Sequence, residues 1–208
     1  MSPILEKANY IGEVMHSSIT QWTTQVWQWD ACPEFGAIVC VEDASHPIYG
    51  VIYYIKTGSD DPVRQAFAYQ KTELELQQEQ PQMFEFLKTD FSAIPLGYQI
   101  GTNLIYAMPP RPPKLHAFVR LATSMELAHI TNQRCVVHAL FSQYNKIEYF
   151  EELLLAFLRY LGRFGLVSRT LLMQISEQLS LATANDYRRL KMFMDRVGEI
   201  AIKDDAAY

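Results

Sequence analysis

Ile48-Tyr49-Gly50-Val51-Ile52-Tyr53-Tyr54-Ile55-Lys56-Thr57-Gly58-Ser59-Asp60-Asp61-Pro62-Val63-Arg64 is the stretch on which the fold turns. β-Branched and aromatic residues fill its first eight positions except Gly50, the composition of a half-buried strand. From Thr57 onward it reads as a turn. Gly58 would supply an unusual dihedral, Ser59 and Asp60 would close the turn through their side chains, and Pro62 would stiffen it. Upstream, residues 10–15 and 23–29 are short segments of alternating character, and 37–41 is a continuous apolar run of strand length. Downstream, 94–98 and 102–108 flank Gln99-Ile100-Gly101, where glycine can take a positive φ. Five or six short strands at this spacing predict a small closed antiparallel barrel, which removes the exposed edges of an open sheet.

A helical insert at about 63–90 interrupts the strands. Residues 71–80 are rich in Glu, Gln and Leu, and Pro81 suits the first turn of a second short helix buried through Met83, Phe84, Phe86 and Leu87. After residue 120 the period becomes helical. Phe150, Leu153, Leu154, Phe157, Leu158 and Leu161 make one stripe, with Gly162 and Gly165 as candidate C-caps. Ser168 is placed to cap a second helix buried through Leu171, Leu172, Ile175 and Leu179. Thr183 with Asp186 resembles a capping box for a third, with Leu190, Phe193, Met194, Val197 and Ile200 as its stripe. The predicted class is α+β: a barrel domain over 1–120 and an α-helical domain over 121–208.

Charge is uneven. Residues 1–120 carry 13 acids against 8 bases, while 121–208 carry 10 of each. The acidic half argues against direct nucleic-acid binding and suits protein partners. Cys32, Cys40 and Cys135 form neither a CxxC pair nor an even framework, so buried thiols in a reducing compartment are expected. The N-terminus lacks the apolar core of a signal peptide, and the most apolar run, 153–167, is broken by Arg159 and Arg163. A soluble cytoplasmic chain without membrane insertion is expected.

No glycine precedes a lysine, so a P-loop is absent, as are GxSxG, HExxH and GxGxxG. Asp60, Asp61 and Arg64 admit two readings: a cation or acid/base site, or a turn in which Arg64 pairs with a nearby carboxylate. His116, His129 and His138 are spaced unlike zinc ligands. Trp22, Trp27 and Trp29, with Tyr10 and Phe35, could stack on bases, but no Lys or Arg lies between Lys7 and Lys56. Barrel core or a protein-docking patch accounts for them better. Pro109-Pro110-Arg111-Pro112-Pro113 is a stiff rod, read as a rigid exit from the last barrel strand. Arg188 and Arg189, near Lys191, are read as the solvated face of an amphipathic helix and as a secondary candidate surface.

The segments IGEV at 11–14, PIYGVIYYIKTGSDDPVR at 47–64 and MPPRPPKLHAFV at 108–119 resemble the HAS-barrel family. These barrels stand at the N-termini of HerA-type DNA translocases and rotary ATP synthase subunits. The likeness covers about residues 8–120 and is nearest to stand-alone bacterial members without an ATPase domain. It implies a six-stranded barrel that organises a multi-subunit machine through protein contacts, with no catalytic residue and no cofactor. The expected role is a non-catalytic interaction or scaffold module whose candidate partner loop is Gly58, Ser59, Asp60, Asp61 and Arg64. An ATPase or other large complex is the candidate partner, and homo-oligomerisation stays open. The alternative is an accessory factor in DNA processing beside a HerA-like ATPase.

Overall fold

Two long strands carry the barrel. The computed structural model of the chain describes residues 9–42, 46–59, 70–80, 84, 86–132 and 134–198. Strand β4 (Ile48–Ser59) runs antiparallel to β5 (Leu87–Ile100), from the Ile48–Tyr98 pair to the Ser59–Leu87 pair. β1 (Gly12–Ser17), β2 (Trp22–Val26), β3 (Ile38–Val41) and β7 (Phe118–Leu121) complete the ring in the order β2-β1-β7-β3-β4-β5, and β5 returns to β2. β6 (Asn103–Ile105) pairs with the far end of β5 and stands outside the ring. The result is α+β: a closed six-stranded antiparallel barrel, one further strand and, among the described residues, six α-helices.

Several boundaries differ from expectation. β4 continues through Thr57, Gly58 and Ser59, so these residues are strand and not turn. Gly58 pairs with Lys88 and has no positive φ, because the two-strand ladder continues past the apolar run. β5 starts at Leu87, so the insert ends before residue 90. The expected helix at 71–80 is α1 (Glu73–Glu79), begun by a capping box of Thr72 and Glu75. Residues 81–83 and 85, expected in a second helix, lie outside the described residues. The proline rod leads into the barrel and not out of it, because the closing strand is β7, which pairs with both β1 and β3. The expected domain boundary at 120 therefore falls inside a barrel strand.

Directly paired residues share a face of the sheet. The pairs Gly12–Val26, Val14–Thr24, Thr24–Phe91, Trp22–Ala93 and Val41–Val119 line the interior. Trp22 fills its centre at 1% exposure. A Cβ at Gly50 would lie 2.2 Å from Trp22 Cη2 and 2.5 Å from the Ile94 carbonyl, so only glycine fits beneath the indole. Irregular register at Tyr49/Gly50 and Ile52/Tyr54 bends β4 around the ring, and Pro95 sits opposite Gly50, where the ladder is already broken.

The helical part packs around α4 (Phe150–Gly162), whose expected stripe is buried together with Leu155 and Tyr160. α4 ends as Gly165 takes φ +65, with Leu166 N–H donating to Leu161 C=O at 3.1 Å and Gly165 N–H to Gly162 C=O at 3.0 Å. Ser168 caps α5 (Arg169–Ala182) as expected. α6 (Tyr187–Val197) is capped by Asp186 alone, because Thr183 turns inward and donates its hydroxyl to Leu179 C=O at 2.8 Å. α2 (Ser124–Thr131) and α3 (Cys135–Phe141) fill the stretch between β7 and α4. Barrel and helices share one continuous core from Val14 to Val197. At its seam Gly36, at φ +85, comes so near α4 that a Cβ would lie 2.6 Å from the Ala156 and Phe157 backbone. No described helix is long and apolar enough to cross a membrane.

Candidate functional site

Gly58 and Ser59 end β4, while Asp60, Asp61 and Arg64 lie outside the described residues. Arg188 and Arg189 are both exposed on α6, but they do different things. The Arg188 backbone N–H is held by the Asp186 cap, whereas the Arg189 side chain crosses to Glu151 of α4. Hydrogen bonding to Glu151 pushes the Arg189 guanidinium further up, so this residue ties α6 to α4.

The aromatic set divides. Trp22 is interior, and Trp29 tilts against Phe84 with ring centres 6.0 Å apart. Trp27 and Tyr10 instead meet on the outside of the barrel through Phe118, a residue of the unforeseen strand β7. Phe118 lies 5.4 Å from Trp27, edge to face, and 5.2 Å from Tyr10. Such contacts fix ring orientation as well as burying area.

Register explains what surrounds these rings. Phe118 pairs with Glu13, Glu13 with Gln25, Gln25 with Asp90, and Asp90 with Lys56. These five residues form one row across the outer wall of β7, β1, β2, β5 and β4. Glu13 Oε1 accepts the Trp27 indole N–H at 3.1 Å, and His116 Nδ1 lies 3.2 Å from Oε2. Gln25 Nε2 donates to Asp90 Oδ1 at 3.3 Å. Met15 and Leu115 extend the apolar part, because His116 N–H bonds Val14 C=O and brings the neighbours of that pair together. Trp27 is 42% and Leu115 59% exposed, so this open wall is an apolar surface with carboxylates in it.

The adjoining wall, which shares β7, is covered. Cys40 pairs with Tyr49 on one side and Arg120 on the other, so all three face outward beneath α2. Arg120 Nη1 and Nη2 donate to Glu126 Oε2 and Oε1 at 2.7 and 2.8 Å, and its Nε donates to Glu42 at 2.7 Å. The Tyr49 hydroxyl donates to Glu126 Oε1 at 2.8 Å, and the Tyr10 hydroxyl donates to Glu42 at 2.5 Å. Glu126 also completes a capping box with Thr123. Burial pushes Glu126 up, but Arg120, the Thr123 amide and the Tyr49 hydroxyl outweigh it and hold the carboxyl at about 2. Hydrogen bonding to Glu126, then to Glu42, raises the Arg120 guanidinium despite its burial. Burial pushes the Cys40 thiol up to about 12, so it is no nucleophile at neutral pH. With its donors and acceptors matched, this cluster fastens α2 to the barrel.

A cleft of about 300 Å³ opens at the start of α4, lined by Tyr144, Tyr149, Glu148, Glu151 and Arg189 among others. Another, of about 220 Å³, lies between α3 and α5 with Arg134, His138 and Glu177 on its walls. His116 and His138 stand apart, and among the described residues no group of three His, Cys, Asp or Glu is placed to hold a metal. Local sequence could not join Arg120 to Glu42, which lie 78 positions apart. The cluster's one visible signal was the T-x-x-E pattern at Thr123 and Glu126. No protein-family model matches the chain, and no curated protein matches its sequence.

Proposed function

We propose that this chain is a non-catalytic protein-interaction module, an accessory or scaffold subunit that docks through the open wall of its barrel. The observation that carries the reading is the ledge of exposed Trp27, Met15 and Leu115 with half-buried Phe118 and Tyr10, on the barrel wall beside Glu13. Aromatic side chains on a rigid support are the groups that anchor protein interfaces. A closed six-stranded barrel fits the HAS-like kinship that IGEV, PIYGVIYYIKTGSDDPVR and MPPRPPKLHAFV suggest, and with it a role in organising a larger complex. Unpaired Cys32, Cys40 and Cys135 suit a cytoplasmic setting. Quantitative co-purification from the native cell tests the reading, using wild type and the Trp27→Ala/Leu115→Ser double variant. Loss of particular partners at an unchanged melting temperature supports it, and equal recovery of every protein refutes it. Calorimetry with Mg-ATP should show no saturable binding.

A further inference from the structure

We infer that the open wall receives a basic segment of a partner protein, with an arginine or lysine seated on Trp27 and its charge directed at Glu13. This rests on the reading of that wall as a docking face and adds the chemistry of its occupant. The argument is charge complementarity on a fixed geometry. Among the described residues neither Glu13 nor Asp90 forms an ion pair with a Lys or Arg, although both stand in one outward row. Lys56 ends that row beyond Asp90, and Arg120, the cation next to Phe118 along β7, is committed to Glu42 and Glu126. No Lys or Arg occurs between Lys7 and Lys56, so β1, β2 and β3 supply no cation of their own.

The exposed indole of Trp27 has its N–H fixed on Glu13, which places the ring next to the carboxylate. A guanidinium or ammonium on that ring gains cation–π attraction and finds a counter-charge beside it. Glu13 can accept it, since a carboxylate offers about four lone-pair sites and two are in use. The covered wall meets the same need for a cation with Arg120 from within the chain. On the open wall no Lys or Arg among the described residues pairs with Glu13, so a cation from outside finds that carboxylate open to it. A nucleic acid would bring phosphate against Glu13 and Asp90, so a basic polypeptide fits where a polyanion does not.

The test is calorimetric titration of the full chain with a short acetylated, amidated arginine–leucine peptide, beside counterparts carrying glutamine or glutamate in place of arginine. The arginine peptide is expected to bind saturably and to weaken as salt is raised, with the glutamine peptide about tenfold weaker and the glutamate peptide not binding. Trp27→Ala and Glu13→Gln should each weaken the arginine peptide about tenfold. Tyr149→Ala, in the cleft at α4, should leave it unchanged. If Trp27→Ala melts early, Glu13→Gln decides alone, because amide replaces carboxylate at equal size. Absence of saturable arginine-peptide binding overturns the inference. Equal affinity for the glutamine peptide, or undiminished binding by Glu13→Gln, overturns it as well. Each of those outcomes leaves the docking reading to co-purification, where unchanged partner recovery by the double variant would remove it.

Discussion

The covered wall at β3, β4 and β7 and the open wall at β7, β1 and β2 carry the same ingredients, carboxylates beside aromatic rings, and differ by one guanidinium. On the covered wall Arg120 is 18% exposed and satisfies Glu126, itself 23% exposed, together with Glu42. On the open wall Glu13 meets, among the described residues, the ring nitrogens of Trp27 and His116. Burying a carboxylate is tolerable only with a counter-charge and hydrogen bonds, so the wall that owns its cation can be covered by helices. The other stays in contact with water. The difference shows how one barrel separates a face for its own fold from a face left for something else.

Both walls depend on one interior, and the largest expected effect strikes there. Gly50→Ala places a methyl against the Trp22 ring and the Ile94 carbonyl, with an expected loss of about 3 kcal/mol or more by denaturant unfolding. Trp22→Phe in the same chain removes the ring atoms that clash and should restore part of the loss. The Ile94 contact keeps the restoration incomplete. If Gly50→Ala is neutral, the interior is looser than described and the two walls need not share a scaffold.

Arg120→Ala comes next and breaks the comparison directly. It strands Glu42 and Glu126 in a half-buried setting, where removing one member of a charge pair costs about 3 kcal/mol. A loss below about 1 kcal/mol would put the cluster in the class of surface ion pairs. The distinction between the walls would then fail.

Acid sharpens the same point. Glu126 is held at about 2 in the folded chain against an ordinary 4.5. A carboxyl depressed by folding adds stability that is complete above its ordinary value and is lost as pH falls toward the folded one. Unfolding free energy should therefore decline between about pH 4.5 and about pH 2, with about 3 kcal/mol of the decline due to this group. Glu126→Gln should start lower at neutral pH and decline less steeply. A slope identical to wild type would mean that other carboxylates carry the acid sensitivity. Glu42, also lowered, is the first of these to examine.

The barrel itself was legible because β4 and β3 announce themselves through composition, and Gly101 does take the positive φ expected of it. β7 was not legible. Its four residues follow a proline rod and owe their strand state to pairing with β1 and β3, which are distant in sequence. The start of β5 was hidden because Leu87 follows directly on the helix-like run of Phe84 and Phe86, while Thr89 is buried for a tertiary reason. Its hydroxyl lies 2.8 Å from the Thr57 hydroxyl and donates to Trp29 C=O at 2.6 Å. Thr183 looked like a cap, but the chain turns through left-handed Ala184 and Asn185 before α6 begins, and this leaves Asp186 at the N-cap. For the open wall the rings of Trp27 and Tyr10 were visible in sequence. Their meeting at Phe118, and Glu13 beneath them, required the register of a closed sheet.

The smallest expected effect completes the contrast. Glu13→Gln changes no shape, and the new side-chain carbonyl can still accept the Trp27 indole N–H. It removes one charge from a row in which Asp90 already stands near, so a little like-charge repulsion goes with it. The expected stability change is within about 0.5 kcal/mol, the range of exposed substitutions. This should hold at neutral pH, where Arg120→Ala on the other wall costs several times more. If Glu13→Gln destabilised the chain as Arg120→Ala does, Glu13 would be part of the fold's own support. The open wall would then have to be read as a second seam rather than a surface kept for a partner.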